Sequence, residues 1–380
     1  MKYYLIAGEA SGDLHGAYLI RALQQQDPTA DFRCWGGDLM AEAGADVRKH
    51  YRELAFMGFA EVIRNLRTIL RNFKTSKADV LTYQPDVLIL IDYPGFNLRM
   101  AKWAHAQGIR VFYYISPQVW AWKSSRVKQI RAYVERLYVI LPFEQAWFAE
   151  RGVEVEYVGH PLLDVVADLP PVGDFRAQYG LDERPIVALL PGSRKQEIDR
   201  MLSVMLAVAQ RFPSHQFVVA GAPAQAASYY QSLFVRYGLP SNVSLVENAT
   251  YPLLRTARAA LVTSGTATLE TALLNCPEIV CYRGSSISYA IAKRIVKIKY
   301  ISLVNLIVDQ PLVLELIQHD FEANRLEQEL QKLLTAAEQS RIKAGYQQLR
   351  QQLGGGGAAD RTAKSMVQRL HTGATPPTTA

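Results

Sequence analysis

Cysteine and metal-binding patterns are scarce in this sequence. Only Cys34, Cys276 and Cys281 occur in 380 residues, an odd number without zinc spacing, which is typical of a protein from a reducing compartment. The seven histidines show no paired metal spacing, and the acidic pair Asp-x-Asp is absent from the sequence. We therefore predict a chain without disulfides, without a metal ion and without a cofactor.

Long apolar runs are absent as well. Glu9 interrupts the apolar start of the chain too early for a signal peptide, and no run of about 18 apolar residues is present to span a bilayer. Lys and Arg number 42 against 35 Asp and Glu, a net charge of +7 that is small for a nucleic-acid-binding protein. We expect no membrane span and no nucleic acid partner. The positive charge suits an anionic substrate or an anionic membrane surface.

What the sequence does contain is a repeated alternation of apolar strands with helical patterns. Continuous apolar strands of this kind are typical of parallel sheets covered on both faces. The length exceeds one ordinary core, so we predict an α/β fold of two Rossmann-like, doubly wound domains that face each other across a cleft. The predicted domains cover residues 1–165 and 166–353, and residues 354–380 form a Gly-rich break, a short helix and a disordered tail. The predicted strands cover residues 3–7, 87–91, 110–115, 136–141, 186–190, 216–220, 243–246, 260–262 and 278–282.

Two turns of small residues follow strands in the second half of the chain. One is Gly192-Ser193-Arg194 and the other is Ser264-Gly265-Thr266. Each leads into a helical pattern, and the first N–H groups of a helix are available to bind phosphate. Arg194 adds positive charge, and Glu270, one helical turn beyond the second turn, suits the hydroxyl pair of a ribose. Together they predict a site for a nucleotide diphosphate, as in sugar-nucleotide enzymes.

Acidic residues follow two strands of the first half. Glu9 and Asp13 lie in a segment whose glycine spacing differs from that of the dinucleotide-binding motif. We expect Glu9 and Asp13 to bind sugar hydroxyls or to transfer a proton. The alternative for Asp13, and for Ser11 beside it, is that the side chain caps a helix. Asp92 follows the strand at 87–91 and is either a general base at the sheet edge or part of an Asp-x-Pro-Gly turn.

A basic and apolar segment lies between residues 57 and 74. Its apolar and basic side chains recur at spacings of three and four, as in a helix that lies on a membrane surface. An ordinary surface helix shows the same pattern, but the lack of acidic residues from Arg64 to Lys77 favours the membrane. The predicted lipid-contacting residues are Phe59, Val62, Ile63, Arg64, Leu66, Arg67, Ile69, Leu70, Arg71, Phe73 and Lys74.

Taken together, these motifs resemble the lipid-A-disaccharide synthase family, which are glycosyltransferases of the two-Rossmann-domain type called GT-B. The resemblance covers most of the chain. It departs at Val304, where the family usually has proline, and in the Gly-rich segment after Leu353. The motifs that carry it are Gly8-Glu9-x-Ser11-Gly12-Asp13, Met57-Gly58-Phe59-x-Glu61-Val62, Asp92-x-Pro94-Gly95-Phe96-Asn97, Ser116-Pro117-x-Val119-Trp120-Ala121-Trp122, Leu190-Pro191-Gly192-Ser193-Arg194, Ser264-Gly265-Thr266-Ala267-x-x-Glu270 and Tyr300-x-Ser302-Leu303-x-Asn305.

The resemblance implies an inverting sugar transfer. UDP-2,3-diacylglucosamine would donate its sugar to 2,3-diacylglucosamine 1-phosphate (lipid X), giving the β(1→6) lipid A disaccharide 1-phosphate and UDP. Asp92 would accept the proton of the acceptor hydroxyl, Glu9 would orient the acceptor or share that proton, and Arg194 would stabilise the leaving diphosphate. The expected UDP-sugar contacts are Gly192, Ser193, Arg194, Ser264, Gly265, Thr266, Glu270, Tyr282 and Asn305.

The resemblance also implies a location and partners. We expect the protein in the cytoplasm, at the inner face of the cytoplasmic membrane and against its phospholipids, and a homodimer is compatible with the sequence. Two alternatives stay open. One is another UDP-sugar enzyme of the same fold, such as a UDP-N-acetylglucosamine 2-epimerase or a soluble glycosyltransferase. The other is a lipid- or nucleotide-binding protein without catalysis.

Overall fold

The computed structural model describes residues 1–53, 66–122, 124–285, 289 and 298–372 of the chain. These residues divide into two compact units, one formed by Met1–Asp164 with Gly355–Ala380 and the other by Val165–Gly354. The predicted lipid-contacting residues Phe59, Val62, Ile63 and Arg64 lie outside the described residues, and the side chain of Leu66 is not described.

Within the described residues, the first unit contains a sheet of seven parallel strands. The strands are β1 (Lys2–Ala7), β2 (Asp31–Gly36), β3 (Asp46–His50), β4 (Val87–Ile91), β5 (Arg110–Tyr114), β6 (Arg136–Val139) and β7 (Val155–Tyr157). Their order across the sheet is β3-β2-β1-β4-β5-β6-β7. The order reverses between β1 and β4, where ligands bind in doubly wound sheets.

Helices connect these strands along the chain. They are α1 (Ala10–Gln26), α2 (Asp38–Glu42), α3 (Leu66–Tyr83), α4 (Pro94–Ala106), α5 (Val119–Trp122), α6 (Val127–Tyr133), α7 (Glu144–Ala149) and α8 (Leu162–Ala167), with single 3₁₀ turns at Tyr51–Glu53 and Ser124–Arg126. Alternate residues of β1 belong to different core clusters, Tyr3 and Leu5 to one and Tyr4 and Ile6 to the other. Both faces of the sheet are therefore buried, which explains why β1 is apolar at every position after Lys2.

The second unit repeats the plan with six described parallel strands. They are β8 (Ile186–Leu190), β9 (Gln216–Gly221), β10 (Val243–Glu247), β11 (Ala259–Thr263), β12 (Glu278–Tyr282) and β13 (Leu314–Ile317), in the order β10-β9-β8-β11-β12-β13. The helices are α9 (Phe175–Tyr179), α10 (Lys195–Ala209), α11 (Ala227–Tyr237), α12 (Thr250–Thr256), α13 (Thr266–Leu273), α14 (Leu303–Val308), α15 (Ala323–Leu333) and α16 (Ala336–Leu353). Here the strand order reverses between β8 and β11. The predicted pair of doubly wound parallel-sheet folds is confirmed.

The last described helix, α17 (Ala358–His371), belongs to the first unit although it follows the second along the chain. Its apolar residues Ala363 and Met366 lie in the core cluster of α1 and β1. The carboxylate of Asp164 accepts hydrogen bonds from the N–H groups of Gly357 and Ala359 and so caps the helix. The short helix expected in the 354–380 segment is thus a structural part of the first unit, and residues 373–380 lie outside the described residues.

Candidate active site

Glu9 and Asp92 follow neighbouring strands at the point where the strand order of the first sheet reverses. Ala7, the last residue of β1, pairs with Ile91, the last residue of β4. Glu9 therefore lies beside Asp92 at the carboxyl edge of the sheet, where doubly wound folds bind their ligands. The sequence predicted each acid at a strand end, and the strand order brings the two together.

The backbone of Asp92 is held in an unusual conformation. Asp92 and Tyr93 have φ angles of 42° and 48°, in the left-handed region that non-glycine residues rarely adopt. The carbonyl oxygen of Asp92 accepts hydrogen bonds from the Tyr113 hydroxyl at 2.5 Å and from Asn97 Nδ2 at 2.8 Å. The Tyr93 ring lies against Gly8, where an added Cβ would come within 2.4 Å of the ring. These contacts fix the backbone at a strained position, which is common at functional sites.

The pKa of the Asp92 carboxyl group is raised toward neutral pH. Burial, and next the negative charge of Glu9, raise the pKa of Asp92 to about 7. A general base is most effective when its pKa lies near the working pH. The geometry and the pKa thus both suit Asp92 for removing a proton from a hydroxyl group.

Glu144 is a buried acid of this region that the sequence did not reveal. It begins α7, beyond β6, and its Oε2 accepts the N–H groups of Ile140 and Leu141 at 3.1 and 2.9 Å. Its Oε1 accepts the indole N–H of Trp120 at 3.2 Å. Burial raises the pKa of Glu144 to about 7, and the charge of Asp92 adds to the rise. Glu144 therefore holds Trp120, a residue of the 116–122 motif, close to the Asp92 region.

The carboxylate of Asp13 caps a helix, which is one of the two interpretations that the sequence left open. Its buried carboxylate accepts the N–H groups of Gly37, Leu39 and Met40 at 2.7, 3.2 and 3.1 Å. These N–H groups lie at the start of α2, so Asp13, which lies on α1, caps α2. Burial still raises its pKa.

Both predicted phosphate turns follow strands at the reversal point of the second sheet. Leu190 at the end of β8 pairs with Val262 of β11, so the 192–194 turn and the 264–266 turn are neighbours. Gly192 has a φ angle of 114°, and an added Cβ would lie 2.9 Å from Cβ of Glu197. Because this turn admits no side chain at Gly192, its backbone N–H groups are accessible at the start of α10.

Arg194 and Glu197 pair at the first turn. Arg194 caps α10, and its Nη1 donates to Glu197 Oε1 at 2.9 Å, while its backbone N–H donates to Oε2 at 3.4 Å. The Arg194 side chain is 51% exposed. An exposed ion pair of this kind contributes little energy, so exchanging Glu197 for an anionic ligand costs little.

Glu270 and Tyr282 lie at the neighbouring strand ends. Glu270, on α13, accepts a hydrogen bond from the Tyr251 hydroxyl at 3.0 Å, and burial raises its pKa. Tyr282, the last residue of β12, is 36% exposed. Tyr282 therefore lies at the carboxyl edge of the second sheet, and Glu270 lies on the helix that follows the neighbouring strand β11.

The hydrogen bonds of the Asn305 side chain differ from the contact with the donor that the sequence predicted. Its side chain is buried, its Nδ2 donates to Val313 O and Glu315 Oε1 at 2.9 Å each, and its Oδ1 accepts the N–H of Val313 at 3.0 Å. Because both N–H donors have partners within the chain, we correct the role of Asn305 from a donor ligand to a structural contact. Glu315, on β13, was not identified from the sequence, since a lone acid in a short edge strand carries no motif.

The basic and apolar pattern is divided between two surfaces of α3. Phe73 is buried and stacks on Phe96 with ring centres 4.2 Å apart, and Ile69 packs against the same core cluster. The predicted contact of Phe73 with lipid is therefore corrected, because the core of the first unit covers it. Ile69 is only partly buried, and its contact with lipid stays a prediction. The outward surface carries Leu70, which is 57% exposed, with the exposed residues Arg67, Arg71 and Lys74.

Two further properties concern the described part of the chain. There, no helix combines the length and the apolar character needed to cross a bilayer. In the same part, no group of three or more His, Cys, Asp and Glu side chains is arranged to hold a metal ion.

Sequence comparison identifies the relatives of this chain. The family model described as lipid-A-disaccharide synthetase matches residues 3–369. The lipid-A-disaccharide synthase of Geobacter sulfurreducens is 38% identical over 375 residues, which cover 97% of each chain. That of Syntrophus aciditrophicus is 41% identical over 365 residues, which cover 94% of this chain and 95% of the relative.

Solved structures share the fold at low sequence identity. The UDP-GlcNAc 2-epimerase of Neisseria meningitidis, bound to UDP-GlcNAc, covers 97% of this chain with a TM-score of 0.66 and 15% identity, and all of its own length is matched. The calicheamicin glycosyltransferase CalG4 covers 98% of this chain, with 99% of its own length matched, a TM-score of 0.59 and 15% identity. At such identity the likeness establishes the fold alone.

The family resemblance inferred from the motifs is confirmed by these matches. They favour lipid A disaccharide synthesis over the epimerase alternative, because the curated relatives share a third or more of their residues with this chain and the epimerases far fewer. From the motifs, the two doubly wound sheets and these relatives, the chain belongs to the lipid-A-disaccharide synthase family and is a glycosyltransferase of lipid A synthesis.

Proposed function

We propose that this enzyme transfers the sugar of UDP-2,3-diacylglucosamine to the 6-hydroxyl of lipid X, with inversion at the anomeric carbon. The products are the β(1→6) lipid A disaccharide 1-phosphate and UDP. The observation that carries the proposal is the pair Glu9 and Asp92 at the reversal point of the first sheet, with the pKa of Asp92 raised to about 7. The names of the relatives support the substrate class.

Asp92 is the proposed general base. It accepts the proton of the attacking 6-hydroxyl while that oxygen bonds to the anomeric carbon and the bond from that carbon to UDP breaks. Glu9 lies beside it and orients the acceptor sugar. Its charge is also one cause of the raised pKa of Asp92.

The second unit is the proposed donor site. Arg194 and the N–H groups of Gly192, Ser193, Gly265 and Thr266 bind the diphosphate and offset the charge that develops as UDP leaves. Glu270 binds the ribose, and Tyr282 borders the site. In this proposal, protein groups supply all the positive charge that the diphosphate needs, so activity should be the same with and without a metal chelator.

The test of the reaction measures UDP released from UDP-2,3-diacylglucosamine with and without lipid X. Release that depends on lipid X supports the proposal. Conversion of UDP-N-acetylglucosamine to its 2-epimer, transfer to a water-soluble acceptor, or nucleotide binding without any release would each support an alternative instead.

The Asp92 assignment has its own test. Asp92→Asn should lower kcat by about 10² to 10⁴ and leave the Kd for UDP unchanged, since UDP binds the second unit. Asp38→Asn is the matched control, because Asp38 is an acid of the same unit whose side chain is 63% exposed. Near-normal turnover of Asp92→Asn removes Asp92 from the role of base.

We also propose that the outward surface of α3 binds the inner face of the cytoplasmic membrane. Arg67, Arg71 and Lys74 surround the exposed Leu70, which suits an anionic phospholipid surface with a shallow apolar layer. This contact would give the enzyme access to two diacylated substrates. The amphipathic pattern continues toward residue 57 in the sequence.

Vesicle binding tests this surface. Reversal of Arg67, Arg71 and Lys74 to Glu should weaken binding to anionic vesicles by at least about a hundredfold, because each lost positive charge alone contributes about 1 kcal/mol. The matched control reverses Arg236, Lys299 and Lys332, whose side chains are 60%, 65% and 67% exposed. Equal losses in both triple variants would mean that net charge matters and α3 does not. The expected homodimer stays a prediction that light scattering after size-exclusion chromatography tests.

A further inference from the structure

We propose that Glu315 is a positioning residue for donor binding, which acts on the 264–266 turn through the peptide group between Ile301 and Ser302. The inference rests on the proposed function, in which this turn binds the diphosphate of the donor. Glu315 itself lies on β13 and needs no contact with the donor.

Four hydrogen bonds converge on the Glu315 carboxylate. Oε2 accepts the N–H of Ile301 at 2.9 Å, and Oε1 accepts the N–H of Ser302 at 3.0 Å and its hydroxyl at 2.8 Å. Asn305 Nδ2 supplies the fourth, to Oε1 at 2.9 Å. Bonds to a charged acceptor are stronger than neutral ones, so Glu315 holds the start of α14 in one arrangement.

The same peptide group connects Glu315 to the turn. The N–H of Ser302 and the carbonyl of Ile301 belong to one peptide unit, and that carbonyl accepts the hydroxyl proton of Ser264 at 2.9 Å. A carboxylate that accepts the N–H of a peptide polarises it and makes its carbonyl a better acceptor. The charge of Glu315 therefore strengthens the bond from Ser264.

The direction of the Ser264 hydroxyl decides how the turn meets an anion. A serine hydroxyl has one proton to donate, and here it is directed to Ile301. The N–H of Ser264 donates to Cys281 O at 3.1 Å. The turn therefore offers a phosphate the N–H groups of Gly265 and Thr266 at the start of α13. Glu315 keeps those groups in position by fixing the residue before them.

The first test is Glu315→Gln. The new amide replaces an acceptor oxygen with an NH₂ donor, which then opposes one of the backbone N–H groups. We expect the Kd for UDP and the KM for the donor to rise about tenfold, while kcat and the KM for lipid X change less than about twofold. Glu329→Gln is the control, because Glu329 is a buried acid of the second unit that lies on α15 and pairs there with Arg325 and Lys332. It should leave the Kd for UDP unchanged.

A double-mutant cycle separates this role from general stabilisation of the fold. If Glu315 acts through Ser264, the variant that combines Glu315→Gln with Ser264→Ala should bind UDP no more than about twofold weaker than the weaker single variant. The inference would be overturned if the losses of UDP affinity in the two single variants multiply in the double variant. It would also be overturned by an unchanged Kd for UDP in Glu315→Gln. If Glu315→Gln does not fold, as judged by circular dichroism, Glu315→Asp retracts the carboxylate but keeps its charge, and it is held to the same outcomes.

The proposed function and this inference fail in different ways. A wild-type chain that does not bind UDP contradicts the donor site itself. A wild-type chain that binds UDP, together with a Glu315→Gln variant that binds it equally well, contradicts only the role of Glu315.

Discussion

The pKa of Asp92 makes a prediction about the pH dependence of the reaction. The rise from 3.8 to about 7 means that ionising Asp92 costs about 4 kcal/mol more than ionising an exposed aspartate. Burial is the larger cause and the charge of Glu9 the smaller one. Glu9→Gln removes that charge and leaves the burial, so it should lower the pKa of Asp92 by about one pH unit, less than half of the total rise.

The direction of the pH dependence of kcat/KM follows from the role of Asp92 as a base. Asp92 must be ionised to accept a proton, so kcat/KM should be half-maximal near pH 7, level off about one pH unit above it and fall about tenfold for each pH unit further below it. In Glu9→Gln the midpoint of this fall should move to about pH 6. At pH 6 the wild type should then keep about a tenth of its maximal kcat/KM, and the variant about half of its own.

The assay is UDP release measured from pH 5 to pH 9 with both substrates below their KM. Any loss of acceptor binding in Glu9→Gln lowers the whole curve but does not move its midpoint, so the two effects are separable. The residual activity of Asp92→Asn should show no step near pH 7. A midpoint that stays in place or moves upward in Glu9→Gln would refute the coupling between the two acids.

Three further predictions concern other parts of the molecule. Gly192→Ala forces a Cβ into the left-handed region and against the start of α10, and it should weaken UDP binding at least fivefold in titration calorimetry. Glu144→Gln should raise the KM for lipid X more than that for the donor, because Trp120, which loses a charged partner, belongs to the same unit as the proposed acceptor residues Glu9 and Asp92; equal changes in both KM values would contradict this. His15 and His160 are buried, and burial lowers their pKa values to about 4 and about 3. Below pH 6.5 the unfolded chain therefore binds more protons than the folded chain. As the pH is lowered from 6.5 to 4, the free energy of unfolding should fall by about 1.4 kcal/mol per pH unit for each histidine. Denaturant unfolding of His160→Gln should lose one histidine's share of that slope.

Most of the strands that the sequence predicted are buried on both faces, whereas the predicted strand β10 lies at a sheet edge and is only partly buried. Residues 87–91, 186–190 and 278–282 coincide with β4, β8 and β12, because a strand covered by helices on both sides is mostly apolar. The strands β2, β3, β7 and β13 were not predicted. β3, β7 and β13 lie at the sheet edges, and all four contain polar residues, so their composition does not distinguish them from loops.

The predictions for α3 and the C-terminal helices show the limits of periodicity. Spacing indicated an amphipathic helix but not which apolar side chain packs inward, and Phe73 is buried while Leu70 is exposed. Near the end of the second unit the chain forms two consecutive helices, α15 and α16. Thr335, which caps α16 by accepting the N–H of Glu338, separates them.

Local chemistry was determined by the sequence alone. A turn that needs glycine, a helix that follows it, and an acid or arginine at a strand end depend on residues close together in the chain, so Asp92, Arg194 and the 264–266 turn were identified without tertiary contacts. Strand order and long-range hydrogen bonds were decided only by the tertiary structure. They place Glu9 beside Asp92, bring Glu144 to Trp120, and direct Asn305 to Glu315. Those contacts depend on how distant segments pack, and packing energy is shared among many residues that no short motif records.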